Sequence, residues 1–155
     1  MLKLKNFANL EKFDKELLSI KGNVGKLKGL PISLLKDDIL GKDYELSVAF
    51  VGPRTSRKLN REYRGKDYAT NVLSFPLDKK NGELVLCMEV ITREHKKWNK
   101  NIFDFTGFLV IHGMLHLKGM DHSAIMEKQE QKFYAKYFHR DRSGIVDRAG
   151  GRRRI

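Results

Sequence analysis

Hydrophobic and polar residues alternate in parts of the chain with the period of a β-strand. The clearest alternation runs over 44–51, so this segment is predicted to be a strand, with Tyr44, Leu46, Val48 and Phe50 on one face. An apolar run predicts a second strand over 70–76, closed by Pro76. The nearly continuous apolar run 83–88 predicts a third strand that is buried on both faces, and Asn81-Gly82 before it predicts a tight turn.

Apolar residues recur at helical spacing in several other segments. The predicted helices cover 10–20, 31–40, 53–64, 89–98, 104–118 and 123–138. Asp104 and Ser123 are the predicted N-caps of the last two helices. On inner faces we expect Tyr63 in helix 53–64 and Trp98 in helix 89–98. A weaker alternation over 2–7 predicts a short edge strand.

The segment 104–118 differs from the other helices because it is apolar on almost every side. A helix without a polar face is expected to cross the core of the protein. His112 and His116 lie in this helix, and His122 follows Gly119, which is expected to end it. The sequence therefore places imidazole groups on or beside a buried, rigid element.

These three histidines have the spacing of a metal site with an open coordination position. Residues four apart share one face of a helix, so His112 and His116 are expected to point the same way. A turn at Gly119 would bring His122 back toward them. Three protein ligands, with a fourth position left for water or substrate, are typical of catalytic zinc. The alternative is that these are core histidines whose nitrogens bind backbone groups.

The same spacing occurs in the zinc-protease signature His-Glu-x-x-His-x-x-Gly-x-x-His, with one difference. Gly113 stands where those proteases carry the glutamate that acts as general base. Since glycine accepts no proton, a zinc-dependent peptidase or amidase is the least favoured function. Three imidazoles would also bind nickel, cobalt or copper, so other divalent transition metals stand beside zinc as candidates.

Composition adds a strongly basic character. The chain has 155 residues, a formal net charge of +12 and a single cysteine, so no intrachain disulfide can form. No apolar run is long enough to span a membrane and the first residues lack the apolar region of a secretory signal, so we expect a cytoplasmic protein without a membrane partner. The charge favours a polyanionic partner, with nucleic acid first.

Composition also changes near the end of the chain. We expect a single domain over 1–139, followed by a basic, flexible tail over 140–155 that contains six arginines. Such a tail either adds affinity for RNA phosphates or is a dispensable extension.

An arginine stripe is predicted along helix 53–64. Its members stand three or four residues apart and therefore share one helix face. They are Arg54, Arg57, Arg61 and Arg64, and Lys66 follows them. Guanidinium groups bind phosphates in a bidentate way, so these five side chains are candidate RNA-binding residues. The alternative is a solvated helix face that binds nothing.

Two motifs together resemble the signatures of the YbeY family of bacterial rRNA-maturation endoribonucleases. The first is Leu-Asn-Arg-Glu-Tyr-Arg-Gly-Lys-Asp-Tyr-Ala-Thr-Asn-Val-Leu-Ser-Phe-Pro at 59–76, and the second is His-Gly-Met-Leu-His-Leu-Lys-Gly-Met-Asp-His at 112–122. Gly-Glu-Leu-Val-Leu-Cys at 82–87 is similar to the strand that the family carries between them. Ala69 stands where the family usually has proline, and Glu83 where it commonly has aspartate.

The resemblance implies an α+β fold, in which helices flank a small mixed β-sheet and a central buried helix carries the metal site. It implies zinc bound by His112, His116 and His122, and a functional role for Arg64. The implied activity is that of a single-strand-specific endoribonuclease in 3′-end maturation of the small-subunit (16S) rRNA and in ribosome quality control. The implied partners are rRNA, the small ribosomal subunit with its proteins, and an rRNA-associated GTPase. DNA is not expected as a substrate.

These residues give a mechanistic hypothesis in which Arg64, His112 and His116 are catalytic. A bound metal ion would activate water, or the 2′-OH that only RNA offers, for attack on a phosphodiester, while Arg64 neutralises the developing charge. Asp121 either orients a ligand histidine through a hydrogen bond or caps the last helix. The sequence shows no general base. The main alternative is a non-catalytic RNA-binding or ribosome-assembly factor with a structural metal.

Overall fold

A small mixed β-sheet lies at the centre of the part of the chain that the structure describes, residues 25–138 of a computed structural model. Its strands are β1 at Glu45–Val51, β2 at Val72–Asp78 and β3 at Asn81–Cys87, in the spatial order β1-β3-β2. β1 runs parallel to β3, and β2 runs antiparallel to it. The expected α+β fold with a small mixed sheet is confirmed.

Helices flank this sheet within the described range. They are α1 at Ile32–Ile39, α2 at Pro53–Arg64, α3 at Met88–Glu94, α4 at Ile102–Leu117 and α5 at Ala124–Phe138. Short 3₁₀ turns lie at Gly25–Leu27 and His95–Trp98. The helix expected over 89–98 is therefore α-helical only in its first part and tightens into a 3₁₀ turn at His95.

The central strand β3 separates two hydrophobic clusters, because successive side chains of a strand point to opposite faces. Leu84 and Leu86 belong to the larger cluster, to which α1, α4 and α5 contribute. Val85 belongs to the smaller cluster, which Leu59 of α2 completes. The prediction that this strand is buried on both faces is confirmed, and α2 and α4 lie on opposite sides of the sheet.

The helix α4 crosses the larger cluster and is buried on nearly every side, as expected. Both Phe105 near its start and Met114 near its end are fully buried. The predicted cap was wrong, because the side chain of Asn101 accepts a hydrogen bond from the Asp104 N–H at 2.7 Å. Asp104 is thus the third residue of the helix, the position whose amide an N-cap side chain normally satisfies.

The tight turn predicted at Asn81-Gly82 was also wrong. These residues open β3, and the turn between the strands lies at Lys79-Lys80. The carboxylate of Asp78 accepts hydrogen bonds from the Lys80 N–H at 2.8 Å and from the Asn81 side chain at 2.9 Å. This carboxylate therefore organises the turn, a role that an Asn-Gly pattern does not reveal.

Other local predictions had mixed outcomes. The Ser123 hydroxyl accepts a hydrogen bond from the Met126 N–H at 3.2 Å, as expected for the cap of α5. Pro76 does not end β2, because β2 is an edge strand, where a missing N–H costs no ladder hydrogen bond.

Tyr63 and Trp98 were expected on inner faces, but they are 54% and 39% exposed. Both rings border a cleft instead of entering the core.

Three predictions concern residues outside the described range. They are the edge strand over 2–7, the helix over 10–20 and the basic tail over 140–155. None of the helices within 25–138 combines the length and the apolar character that crossing a membrane requires.

Candidate metal centre

The structure brings the three predicted histidines together. Their ring centroids are 4.6 Å apart for His112 and His116, 5.2 Å for His112 and His122, and 4.7 Å for His116 and His122. One nitrogen of each ring lies within 4.8 Å of the corresponding nitrogen of the other two. Three imidazole nitrogens that converge in this way are a donor set suited to a divalent transition metal.

The end of α4 explains this convergence. His112 and His116 lie one turn apart on the helix, which ends at Leu117. Gly119 then takes a positive φ of 99°, a conformation that side chains with a Cβ rarely adopt. Its N–H donates to the His116 carbonyl at 2.9 Å. The chain therefore reverses direction at once and places His122 beside the pair, as the sequence predicted.

Hydrogen bonds from the other ring nitrogen orient two of the imidazoles. His116 Nδ1 lies 2.9 Å from the carbonyl oxygen of Met120, and His112 Nδ1 lies 3.1 Å from Oε2 of Glu130. A carbonyl oxygen can only accept, so His116 carries its proton on Nδ1. The same assignment suits His112 beside a carboxylate. In both rings the lone pair is then left on Nε2.

The Nε2 atoms of His112 and His116 face each other at 3.1 Å. Two lone pairs at this distance repel each other unless a cation or a proton lies between them. The pKa of His116 is lowered, mainly because burial disfavours its charged form and also because His112 is close. Since the neutral imidazole is the form that binds metal, the residues present fit a bound divalent cation.

Glu130 is a site residue that the sequence analysis missed. It is only 7% exposed and comes from α5, eighteen residues after His112. Its carboxylate fixes the ring of His112 in the way that carboxylates commonly support metal-binding histidines. A signal existed in the sequence, because Glu130 shares the inner face of α5 with Met126 and Phe133. A charged residue at a core position of a helix marks a candidate functional group.

Asp121 fills neither of the two roles expected for it. It is exposed and makes no side-chain hydrogen bond with any residue in the range 25–138. Glu130 and the Met120 carbonyl orient the two helical histidines, while Ser123 caps α5. The tight turn at Gly119 is the physical reason, since it presents a backbone carbonyl where a side chain was expected.

The structure also explains the glycine that distinguishes this motif from that of the zinc proteases. A Cβ at position 113 would lie 2.6 Å from Cδ2 of Leu84 and 3.1 Å from Oγ of Ser74. The Gly113 carbonyl accepts a hydrogen bond from that same hydroxyl at 3.0 Å. Position 113 thus faces the sheet at close range, and a glutamate there would displace Leu84 or move α4.

The arginine stripe divides into residues with different surroundings. Arg57 donates from Nε and Nη2 to the two carboxylate oxygens of Asp67 at 2.9 and 3.0 Å, and Arg61 contacts the same carboxylate at 3.4 Å. The hydrogen bonds from Arg57 lower the pKa of Asp67, which keeps it charged. Of the five predicted RNA-binding residues, only Arg64 lines the histidine cleft; Arg54 and Lys66 lie outside it.

The cleft around the histidines has a volume of about 840 Å³. Its wall includes the segment 68–75, which buried polar side chains of α2 hold in place. Ser56 exchanges hydrogen bonds with the backbone of Thr70 at 2.8 and 2.9 Å, and Asn60 donates to the Tyr68 carbonyl at 2.8 Å. Ser56 and Asn60 therefore hold the wall of the cleft in place and make no hydrogen bond to the three histidines.

Comparisons with known proteins agree on one family. A family model described as Endoribonuclease YbeY matches residues 24–138. Endoribonuclease YbeY of Aromatoleum aromaticum is 47% identical over 93 residues, covering 58% of this chain and 60% of that protein. Its counterpart in Colwellia psychrerythraea is 41% identical over 98 residues, covering 59% and 63%. The chain thus spans less than two thirds of the length of these curated relatives.

A solved structure shows the same fold. The solution structure of TM1509 from Thermotoga maritima is similar with a TM-score of 0.54 and 26% sequence identity. The similarity covers 79% of this chain and 89% of that one. The arrangement of sheet and helices described above is therefore shared over most of both chains.

Proposed function

Because the chain belongs to the endoribonuclease YbeY family, we propose that it is a metal-dependent endoribonuclease whose reaction takes place at His112, His116 and His122. One observation carries the proposal. The Nε2 atoms of two buried-helix histidines face each other at 3.1 Å beside the third histidine, in a cleft that Arg64 also lines. A cation centre next to an arginine suits a phosphodiester, which is anionic and gains negative charge during cleavage.

Zinc is the metal that we propose, with other divalent transition metals as alternatives. Such an ion would supply a Lewis acid, either for a phosphate oxygen or for the attacking hydroxyl group. The protein contributes the fixed geometry of the ligands. Glu130 and the Met120 carbonyl hold two rings so that Nε2 of each points into the cleft.

Arg64 is proposed to bind the phosphate whose ester bond breaks. It stands at the end of α2 and lines the same cleft as the histidines. A guanidinium group can donate two parallel hydrogen bonds to phosphate oxygens, so it orients the group and neutralises its charge. Arg54, Arg57, Arg61 and Lys66 are proposed to bind flanking phosphates, with Arg57 and Arg61 limited by their shared contact with Asp67.

Glu127 offers a candidate proton acceptor that the sequence motifs did not suggest. It lies one turn before Glu130 on α5, is exposed and lines the same cleft. A carboxylate in this place can take the proton from the attacking hydroxyl group if the substrate brings that group within hydrogen-bond distance.

The narrower function is proposed from the resemblance of the two motifs. It is cleavage of single-stranded rRNA during 3′-end maturation of 16S rRNA and in ribosome quality control, in the cytoplasm, with ribosomal proteins and an rRNA-associated GTPase as partners. Accumulation of 3′-extended 16S precursors in cells that lack the protein would be expected. Normal 16S ends in such cells would contradict this narrower function while leaving the endoribonuclease proposal intact.

A structural metal is the competing interpretation, and the contacts of the histidines argue against it. α4 is buried by apolar packing, and the rings of His112 and His116 are already held by protein hydrogen bonds. Structural zinc sites, by contrast, commonly supply the folding free energy that their small domains lack. We therefore expect the metal-free protein to stay folded.

The test measures metal content, cleavage of a single-stranded RNA and thermal melting on three proteins: wild type, His116→Ala and His95→Ala. His95 is a matched control, because its Nδ1 also lies close to a backbone carbonyl, that of Lys100 at 2.7 Å, but it is not in the cluster. About one divalent ion per chain is expected in wild type and control. Metal and cleavage should both be lost in His116→Ala.

Two results would contradict the proposal. Wild-type protein without bound metal would remove its basis, and so would RNA cleavage that survives in His116→Ala. Unfolding of the wild type when a chelator removes the metal would favour the structural interpretation instead.

A further inference from the structure

We propose that the cleft binds unpaired bases of the RNA strand by stacking them on Tyr63, Tyr68 and Trp98, so that these rings select the strand next to the cleaved phosphate. This inference rests on the proposed function and adds its base-binding surface. In the proposed function the histidines hold the metal and Arg64 binds the phosphate, and the three rings would bind the bases.

The exposed aromatic side chains are concentrated around the histidine cleft. Within the described residues, the large hydrophobic side chains that are exposed are Leu34, Tyr63, Tyr68, Trp98 and Ile125. All three aromatic members of this set line the histidine cleft, and the two aliphatic members do not. Exposed rings cost free energy in water, so their concentration around one cavity indicates a ligand that covers them.

Two of the three rings, those of Tyr63 and Trp98, are held in place by other aromatic side chains. Tyr63 packs edge-on against Phe75, with centroids 5.1 Å apart and an angle of 73° between the ring planes. Trp98 stacks on the fully buried Phe105 at 6.0 Å and 23°. Rings that are already ordered lose little conformational entropy when a base stacks on them, which favours binding.

Trp98 lies next to the part of α4 that carries the histidines. Its ring lies 5.8 Å from that of Phe108, and Phe108 precedes His112 by one helical turn. Tyr63, in turn, is adjacent in sequence to Arg64, the proposed phosphate-binding residue. The rings proposed to bind bases therefore lie next to the groups proposed to act on the phosphate. One nucleotide, which carries both a base and a phosphate, can then contact both sets.

Charge supports RNA as the occupant. The chain carries a formal net charge of +12 and Arg64 opens into the cleft, although Glu127 and Glu130 also line it. Proteins that bind single strands combine cationic groups for the backbone with aromatic rings for the bases. A base in a duplex is stacked on both sides by its neighbours, so only an unpaired base can use these rings.

The test exploits the fact that Trp98 is the only tryptophan of the chain. Its fluorescence is measured during titration with an unstructured ten-nucleotide RNA, and with an oligonucleotide of equal length in which abasic sites replace the central bases. RNA with bases is expected to quench the fluorescence. The abasic strand, which offers only phosphates and sugars, should leave it nearly unchanged and bind more weakly.

Variants provide a second measurement. Trp98→Leu and Tyr63→Leu keep an apolar side chain but remove the ring, and each should raise the Kd for RNA roughly 5- to 150-fold, the range expected when one stacked ring is lost. Leu34→Ala is the control, because Leu34 is exposed outside the cleft, and its Kd should match wild type. The dependence of Kd on salt should stay the same in all of them, since no charge is removed.

Gel analysis of the same samples separates this inference from the proposed function. Cleavage of RNA together with unchanged tryptophan fluorescence, or with wild-type Kd in both ring variants, would overturn the stacking inference and leave the endoribonuclease proposal standing. Equal affinity for the normal and the abasic strand would overturn it as well. Absence of both cleavage and RNA binding would overturn the two together.

Discussion

The histidine helix α4 and the arginine helix α2 carry the same kind of periodic pattern in the sequence. In the structure, however, the side chains of the two helices have different surroundings. Each presents candidate functional side chains three or four residues apart on one face. On α4, the rings of His112 and His116 are fixed by the hydrogen bonds that they donate to the Glu130 carboxylate and the Met120 carbonyl. On α2, Arg57 and Arg61 lie at the surface and share one carboxylate, that of Asp67.

Burial accounts for this difference. A group that is removed from water needs a partner, and in a packed interior few positions can offer one, so its geometry is fixed. An exposed arginine is solvated in many positions, and any nearby carboxylate can compete with an RNA phosphate for it. A periodic pattern on a buried helix therefore predicts a site, whereas the same pattern on an exposed helix predicts only charge.

The strongest test of this comparison is on α2, where only one member of the stripe lines the cleft. Arg64→Ala should reduce RNA cleavage by about 100- to 1000-fold, the loss seen when a group that stabilises transition-state charge is removed. Arg61→Ala, the matched control one turn earlier, should cost only a few-fold, because Asp67 already neutralises part of its charge. Equal losses in single-turnover cleavage assays would show that the stripe acts as one unit.

On α4 the corresponding test removes the carboxylate that is hydrogen-bonded to His112 and leaves the three histidines unchanged. Glu130→Gln should weaken metal affinity about 10- to 100-fold, since the hydrogen-bonded partner of a metal-binding histidine contributes that much. Glu127→Gln on the same helix is the control and should retain wild-type metal affinity, because Glu127 contacts none of the three rings through a hydrogen bond within residues 25–138. Calorimetric titration with zinc measures both. Equal affinities for wild type and Glu130→Gln would refute the role of this carboxylate.

The rigidity of α4 can be tested without changing any of the three histidines or their hydrogen-bond partners. Gly113→Ala adds a methyl group 2.6 Å from Leu84, which overpacks the contact between helix and sheet. We expect the free energy of unfolding to fall by about 1–3 kcal/mol, the usual cost of overpacking. Gly25→Ala is the control, because a Cβ there meets no atom within 4 Å. Urea denaturation of the metal-free proteins measures the difference, and equal stability would mean that Leu84 or α4 adjusts to the extra methyl group at no cost.

The smallest effect is expected from the contact between Asp67 and the exposed arginines of α2. Asp67→Asn frees Arg57 and Arg61, so RNA affinity should rise a few-fold and the slope of log Kd against log salt should steepen by up to about 0.7 for each released cation. Hydrogen bonds from Arg57 lower the pKa of Asp67, so the pair persists above the ordinary aspartate pKa and is lost only as the pH falls through the lowered value. The difference in RNA affinity between wild type and Asp67→Asn should therefore be constant from pH 5 to 9. Unchanged salt dependence in Asp67→Asn would mean that these arginines do not reach RNA.

Local patterns in the sequence were sufficient for several elements. The alternation over 44–51 predicted β1, and the continuous apolar run over 83–88 predicted a strand buried on both faces. The spacing of His112, His116 and His122, with Gly119 between the last two, predicted their convergence. These features depend only on the geometry of a helix or strand over a few residues. The local order of apolar and polar side chains is enough to predict that geometry.

Tertiary structure alone decided the rest. Glu130 lies eighteen residues from His112, and only the packing of α5 against α4 brings the carboxylate to that ring. Asp67 reaches Arg57 because the chain turns back after α2, and Tyr63 and Trp98 border the cleft although their helical positions predicted burial. Periodicity predicts which face of a helix is apolar. Contacts between distant parts of the chain determine which face is buried and which polar groups form hydrogen bonds with each other. The sequence by itself therefore determined the three histidines and the elements that carry them, and the packing of those elements determined their partners.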